Sequence, residues 1–272
     1  MYVYMGHMKF EHIKPYPDNF WKKNRIDLVH AKVVELNDER KRVKLNTGDH
    51  IAYDQLVIAT GSVPNKFNWP GQDLKGVQCL YSYQDLLTLE ENTHPPLSPP
   101  EKRTVKRAVI VGGGLIGVEL AEMLATRDIA VTMLVRESRF WGNVLPKEEG
   151  DLVGRHLAEH HIDVRYGNEL KEILADDKGR CRAVITSSGE EIECQVVGLT
   201  AGVRPNVDFL KGGKLAIDRG ILVDELLRTN IPFVYAAGDC VQLKEPQKNR
   251  RPIEAVWYTG KMMGEVLART IT

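Results

Sequence analysis

The 272-residue sequence has no paired cysteines, no excess of either charge and no apolar run long enough to cross a bilayer. Cys79, Cys181, Cys194 and Cys240 are scattered without a CxxC or CxxxxC spacing. That argues against a local dithiol motif or zinc ribbon and suits buried, inert thiols in a cytoplasmic protein. Thirty-seven Lys and Arg balance thirty-seven Asp and Glu, so no global field recruits nucleic acid or an anionic membrane. The most apolar stretch, residues 108–118, holds four glycines and runs into Glu119. A membrane span needs ~20 apolar residues, and the charged N-terminus lacks the apolar core of a signal peptide. What is present is 43% hydrophobic residues, enough to fill the core of one large or two ordinary domains.

Residues 1–23 are rich in Tyr, Phe, Met and Pro and follow neither helix nor strand periodicity. Residues 28–36, 42–45 and 50–53 are three short runs separated by turn signals, Thr47-Gly48 among them, and read as an antiparallel meander. Residues 55–61 then read as a strand buried on both faces and ended by a glycine, and residues 81–91 as a short helix. Four prolines, Pro95, Pro96, Pro99 and Pro100, mark residues 93–104 as a stiff exposed connector. Beyond it comes a β-α-β pattern over 108–111, 115–127 and 129–135. A second helix (148–161), a strand (163–166), a second meander (169–193) and a second buried strand (195–202) follow. The order meander, buried strand, glycine and Pro-Asn thus occurs twice, once ending at Pro64-Asn65 and once at Pro205-Asn206. Two related nucleotide-binding halves explain such a repeat.

Gly112-Gly113-Gly114-Leu115-Ile116-Gly117 is a GxGxxG sequence, weak alone but informative where it leaves a strand and opens a helix. The first glycine allows the turn, Gly114 lets backbone amides approach a pyrophosphate, and Gly117 lets helix and strand pack closely. The helix N-terminus adds positive potential. A second apolar strand over 231–237 ends on Gly238-Asp239. An ionised Asp there accepts hydrogen bonds from sugar or polyol hydroxyls, or caps the next turn.

Residues 53–65, 107–123, 202–206 and 231–240, in this order and at these separations, resemble the two-dinucleotide flavoprotein reductases. This is the pyridine nucleotide–disulfide oxidoreductase family, in particular its rubredoxin, ferredoxin and nitrite reductase branch. The resemblance implies that Ala59, Thr60 and Gly61 lie against FAD and that Gly238 and Asp239 hold its ribityl and phosphate region. It also implies that Ala255 and Val256 begin a helix aimed at the isoalloxazine. Gly112, Gly114, Leu115, Ile116 and Gly117 hold the nicotinamide dinucleotide, with Glu119 and Gly202 near the nicotinamide. Family members begin with a strand and glycine loop for the ADP part of FAD and end in an interface domain. Neither is found here, so weak FAD retention is expected. A redox cysteine of the disulfide branches is also missing near Met1–Met8.

Three further signals stay open. At the end of the second strand an NAD-type site places a carboxylate ~20 residues past the first glycine. Here that place is Val135, followed by Arg136, Glu137 and Arg139. Either the two arginines clamp a 2′-phosphate, or Glu137 meets the ribose while they are solvated. His156, Glu159 and His160 match the H-x-x-E-H zinc pattern, but their helix sits where the dinucleotide fold needs a surface helix. Lys248, Arg250 and Arg251 form a basic cluster that is a solvated face or a dock for an acidic partner.

The expected fold is therefore α/β, with two dinucleotide-binding, Rossmann-like domains and antiparallel β-meanders. Residues 105–211 form the NAD(P) domain, inserted between 1–104 and 212–272 of an incomplete FAD domain. The expected function is hydride transfer from NADPH or NADH to FAD and on to an acceptor such as a small electron-transfer protein. The alternatives are a nucleotide-binding chain without turnover and a metal-dependent hydrolase.

Overall fold

The computed structural model describes residues 1–93, 105–142 and 144–272. The connector expected over 93–104 lies outside the described residues apart from Thr93, which ends a helix. The chain divides into two compact units. One is Met1–Pro15 with Pro64–Gly202, and the other is Tyr16–Val63 with Val203–Thr272.

In chain order the first segment carries α1 (Phe20–Lys23), β1 (Val33–Asn37), β2 (Arg42–Leu45), β3 (His50–Ala52), β4 (Leu56–Ile58) and β5 (Ser62–Pro64). Next come β6 (Val77–Gln78), α2 (Tyr83–Thr93), β7 (Arg107–Val111), α3 (Leu115–Ala125), β8 (Ala130–Val135), α4 (Lys147–Glu159) and β9 (Asp163–Tyr166). They are followed by β10 (Leu170–Ala175), β11 (Cys181–Thr186), β12 (Glu191–Glu193) and β13 (Val196–Leu199). The chain ends with β14 (Val203–Pro205), β15 (Ile221–Val223), β16 (Val234–Ala236), β17 (Val241–Leu243) and α5 (Trp257–Ile271).

The larger unit is built on a parallel sheet of order β6-β13-β7-β8-β9. Strand alternation divides its core. Ala108, Ile110, Val131, Met133 and Val196 pack with Leu120, Ala121, Met123 and Leu124 of α3. Val109, Val111, Leu134, Val197 and Leu199 face the opposite way, onto Leu170, Ile173, Cys181, Val184 and Cys194 of the antiparallel meander β10-β11-β12 and its flank. Cys181 and Cys194 are buried together as free, hydrogen-bonded thiols, and burial and the neighbouring thiol push Cys194 up.

This unit is larger than the stretch 105–211 marked by sequence patterning. It takes in Pro64–Thr93 because β6, only two residues long, adds an edge strand beside β13, and it ends at Gly202. It also claims the N-terminal segment, which has no periodicity because one side chain fastens it. Tyr4 is 2% exposed, its hydroxyl shares a 2.8 Å hydrogen bond with Thr93, and the Arg127 guanidinium lies 3.4 Å over its ring. Arg127, itself buried, donates to the Tyr4 carbonyl, to Thr93 Oγ1 and to Glu90, the last at 2.6 Å.

In the second unit β1-β2-β3 form the expected antiparallel meander. β4 pairs in parallel with β16, and β15 with β17. Ile58, Ile221, Val223, Val234, Ala236 and Leu267 form the core. Strand β4 is not buried on both faces as its composition suggests. Val57 is 43% exposed, because within this unit it lines an open groove beside α5. Among the described residues no helix is long and apolar enough to cross a membrane.

Burial pushes the Tyr4 hydroxyl from 10.0 up to about 12. The folded state therefore holds this proton more tightly than the unfolded chain. The stabilisation is complete below pH 10.0 and is lost as pH rises towards about 12. We expect the wild type to lose about 2–3 kcal/mol more than Tyr4→Phe across that window, measured by denaturant unfolding.

Candidate functional site

Strand β7 is the centre of the parallel sheet. The chain turns one way from it to β8 and β9 and the other way to β13 and β6. The carboxyl ends of strands flanking such a reversal leave a crevice for a ligand. A cleft of about 450 Å³ lies there, lined by the glycine turn, by Arg136 and Glu137 after β8, and by Thr200, Ala201 and Gly202 after β13.

The glycines of the turn have different reasons to be glycine. Gly112 has φ +123°, and a Cβ on it would lie 2.6 Å from the Thr200 carbonyl oxygen. A Cβ on Gly113 would lie 2.7 Å from Val135 Cγ1, and one on Gly117 would collide with the Gly112 carbonyl. These three answer to packing. Gly114 does not: its backbone is extended at φ −100°, and a Cβ there would meet nothing within 4 Å. Gly114 is the N-cap of α3 and supplies no side-chain cap, so the amides of Leu115, Ile116 and Gly117 open the helix uncapped. An N-terminus with free amides and a bare approach is suited to a pyrophosphate. The donor set and the space both fit a dinucleotide.

Of the residues singled out in the sequence for the dinucleotide, Gly112, Gly114, Arg136 and Gly202 line this one cleft. Leu115 and Ile116 sit on the exposed first turn of α3, and Glu119 is half-buried one turn on, outside the cleft lining. Val135 is fully buried beneath Gly113, so no carboxylate stands at the usual ribose position. Arg136, its side chain 69% exposed, pairs with Glu137 at 3.0 Å. Arg136 and Arg139 do not line the cleft together. Arg139 turns away, donates to the Gly142 carbonyl at 3.0 Å and does not line the cleft. Sequence reasoning missed Phe67, Trp69, Trp141 and Asn168, which complete the lining. They lie in irregular segments that carry no periodic signal.

The second unit gathers the other set. Thr60 Oγ1 donates to the Asn206 carbonyl at 2.8 Å, and Asn206 returns bonds to the Thr60 and Gly61 carbonyls. The buried Ser62 hydroxyl donates to Oδ2 of Asp239 at 2.9 Å. Asp239 caps no helix, and its half-buried carboxylate remains an acceptor for hydroxyls. Gly238, at φ +75°, presents open space where a Cβ would be. A groove of about 630 Å³ joins Ala59, Gly61, Gly238, Asp239 and Val256 to Gly260 and Gly264 of α5. Ala255 is exposed, and Val256 is the N-cap of that helix. Gly264 has no steric need to be glycine within this unit, which leaves the groove open. Burial pushes the Cys240 thiol up, and it sits inert beneath the turn.

The other signals resolve locally. His156 and His160 lie on α4 with ring centroids 4.3 Å apart and planes tilted by 53°, with His156 Nδ1 3.9 Å from Glu159 and His160 Nδ1 2.9 Å from the His156 carbonyl. Among the described residues no three His, Cys, Asp or Glu side chains converge on a common point. Arg250 is held by Glu254 through two bonds, while Lys248 and Arg251 of the same loop are exposed.

The fold and the cleft define an α/β protein with a Rossmann-type dinucleotide unit. The sequence pattern of the pyridine nucleotide-disulphide oxidoreductases matches residues 6–263. The chain belongs to that family. It is 33% identical over 261 residues to the NAD(P)H coenzyme A polysulfide/persulfide reductase of Pyrococcus horikoshii, covering 94% of this chain and 56% of that protein. It is 26% identical over 225 residues to the rubredoxin-NAD(+) reductase of Pseudomonas putida, covering 82% of this chain and 56% of the relative. The ferredoxin reductase structure from Rhodopseudomonas palustris superposes with a TM-score of 0.87 at 25% identity, over 96% of this chain and 63% of that one. The chain thus spans a little over half the length of the curated relatives it matches.

If Gly114 is kept bare for a ligand and Gly117 for the fold, their substitutions should separate. Gly114→Val should leave the melting temperature close to that of wild type while abolishing dinucleotide binding in calorimetry. Gly117→Ala should lower stability by roughly 1–3 kcal/mol through overpacking.

Proposed function

We propose that this chain is a flavin-dependent NAD(P)H oxidoreductase, binding the nicotinamide dinucleotide in the cleft of the larger unit and FAD along the second. The single observation that carries this reading is Gly114, whose bareness serves no packing need and clears the way to an uncapped helix N-terminus. Bound FAD supplies the hydride-accepting chemistry. The chain's own contribution is positioning. The first-turn amides of α3 hold the pyrophosphate, Asp239, fixed by Ser62, accepts hydroxyls of the flavin side chain, and Arg136 stands at the ribose end. No protein acid or base is required for the hydride step, so no residue is assigned that role.

The onward acceptor is proposed to be a small electron-transfer protein. The rubredoxin named for the Pseudomonas relative is of that kind, and Lys248 and Arg251 offer cationic docking charges. Anaerobic NADPH added to the FAD-reconstituted chain should bleach the blue flavin band. An unbleached band with both ligands bound would favour the second reading, a nucleotide-binding chain without turnover.

For cofactor choice, we propose that Arg136 exchanges its exposed pairing with Glu137 for a 2′-phosphate, since an exposed ion pair is weak and a phosphate carries more charge. Buried Val135 offers no competing carboxylate. NADPH should bind about tenfold more tightly than NADH at low salt. The gap should narrow as salt rises, and Arg136→Ala should remove most of it. Tighter NADH binding in the same titrations would assign Glu137 to the ribose instead.

A further inference from the structure

The cleft has two distinguishable ends. The glycine turn after β7 is its middle, and the pyrophosphate belongs there. In folds of this kind the end of the strand following the glycine helix receives the adenosine ribose. That strand is β8, so Arg136 and Glu137 mark the adenosine end, and Thr200 to Gly202 mark the other. Two of the aromatic residues in the lining, Phe67 and Trp69, follow Asn65, which is hydrogen-bonded to the Ala201 and Gly202 carbonyls. Trp141 instead follows β8, five residues after Arg136.

Trp141 is held in an unusual way. Its φ is +45°, in the left-handed region that residues with a side chain seldom adopt. The neighbouring residue is Gly142, yet the position itself keeps the largest side chain available. Its backbone is fixed from both sides. The Trp141 carbonyl accepts from the amides of Val144 and Leu145 at 2.9 and 3.0 Å, and Arg139 braces the Gly142 carbonyl at 3.0 Å. The half-buried ring packs against the α3-side core and also lines the cleft. A strained, braced aromatic at a ligand's edge fits a pre-organised surface rather than a spacer.

We infer that Trp141 is the platform on which the adenine ring of the dinucleotide stacks, an inference that rests on the dinucleotide reading of the cleft. Arg139, turned away from the ligand, is then a positioning residue that holds the loop. Base–aromatic stacking is sequence-tolerant, and its loss typically weakens binding by about five- to a hundred-fold.

The test is calorimetric titration of the full chain with NADPH and with 2′,5′-ADP, using wild type, Trp141→Phe and Trp141→Leu. All three carry a Cβ, so backbone strain is constant across the series. Trp141→Leu should weaken both ligands at least about fivefold, Trp141→Phe should stay within about threefold of wild type, and 2′,5′-ADP should quench tryptophan fluorescence in wild type but not in Trp141→Phe. Equal losses in the Phe and Leu variants, or none in either, would overturn the platform while leaving the dinucleotide cleft standing. Failure of wild type to bind either ligand would overturn the cleft reading and the platform with it.

Discussion

Close approach of α3 to β7 is the constraint on which the rest of the larger unit depends. The approach is fixed where Gly117 lies on the Gly112 carbonyl and where Thr200 Oγ1 donates to the Val111 carbonyl at 3.0 Å, tying β13 to the end of β7. With those contacts made, Leu120, Ala121 and Leu124 seal one face of the sheet, and the first turn of α3 starts at its carboxyl edge. Nothing in that packing requires Gly114 to lack a side chain. The glycine fingerprint therefore divides into a part that the fold requires and a part that it leaves free, a distinction that the motif as a string does not make.

The same constraint governs the specificity end of the cleft. Val135 Cγ1 and Cγ2 lie beneath Gly113, so the last residue of β8 is committed to the core. A carboxylate there would have to displace this packing to reach a ribose. The charges nearest this end are Arg136 and Glu137, just beyond the strand, where they are exposed or half-exposed and paired with each other. Their exposure makes this end of the cleft responsive to ionic strength in a way that the buried glycine turn is not.

What the sequence made legible was local. The β7-α3-β8 unit, both meanders and helix α5 follow from periodicity and turn residues that lie beside one another in the chain. The features that escaped it depend on distant partners. Tyr4 and Arg127 are 123 positions apart, and neither carries a mark of the other. Strand β6 is too short to show alternation and exists because the edge of β13 is available. Trp141 looks like any aromatic after a strand until its backbone angle and its bracing are known. Arg139 was legible as a charge near the cleft but not as a brace, because its direction is set by the Gly142 carbonyl.

The Pro-Asn repeat shows how a local signal acquires a physical role. In the second unit Asn206 donates through its backbone to the Gly61 carbonyl and through its side chain to the Thr60 carbonyl. In the larger unit Asn65 donates in the same two ways to the Gly202 and Ala201 carbonyls. Each asparagine thus satisfies the carbonyls exposed where a parallel strand, β4 or β13, runs out of its sheet, groups that would otherwise be costly to leave unpaired. The preceding proline fixes its own φ and keeps the residue before it extended, so the asparagine arrives in register with those carbonyls. The two turns keep Gly, Pro and Asn but differ in the residue before the glycine. Thr60 adds a side-chain bond back to Asn206, whereas its counterpart Ala201 adds none and lines the cleft. The repeat therefore does the same work for the backbone in both units and differs in the side chain beside the glycine.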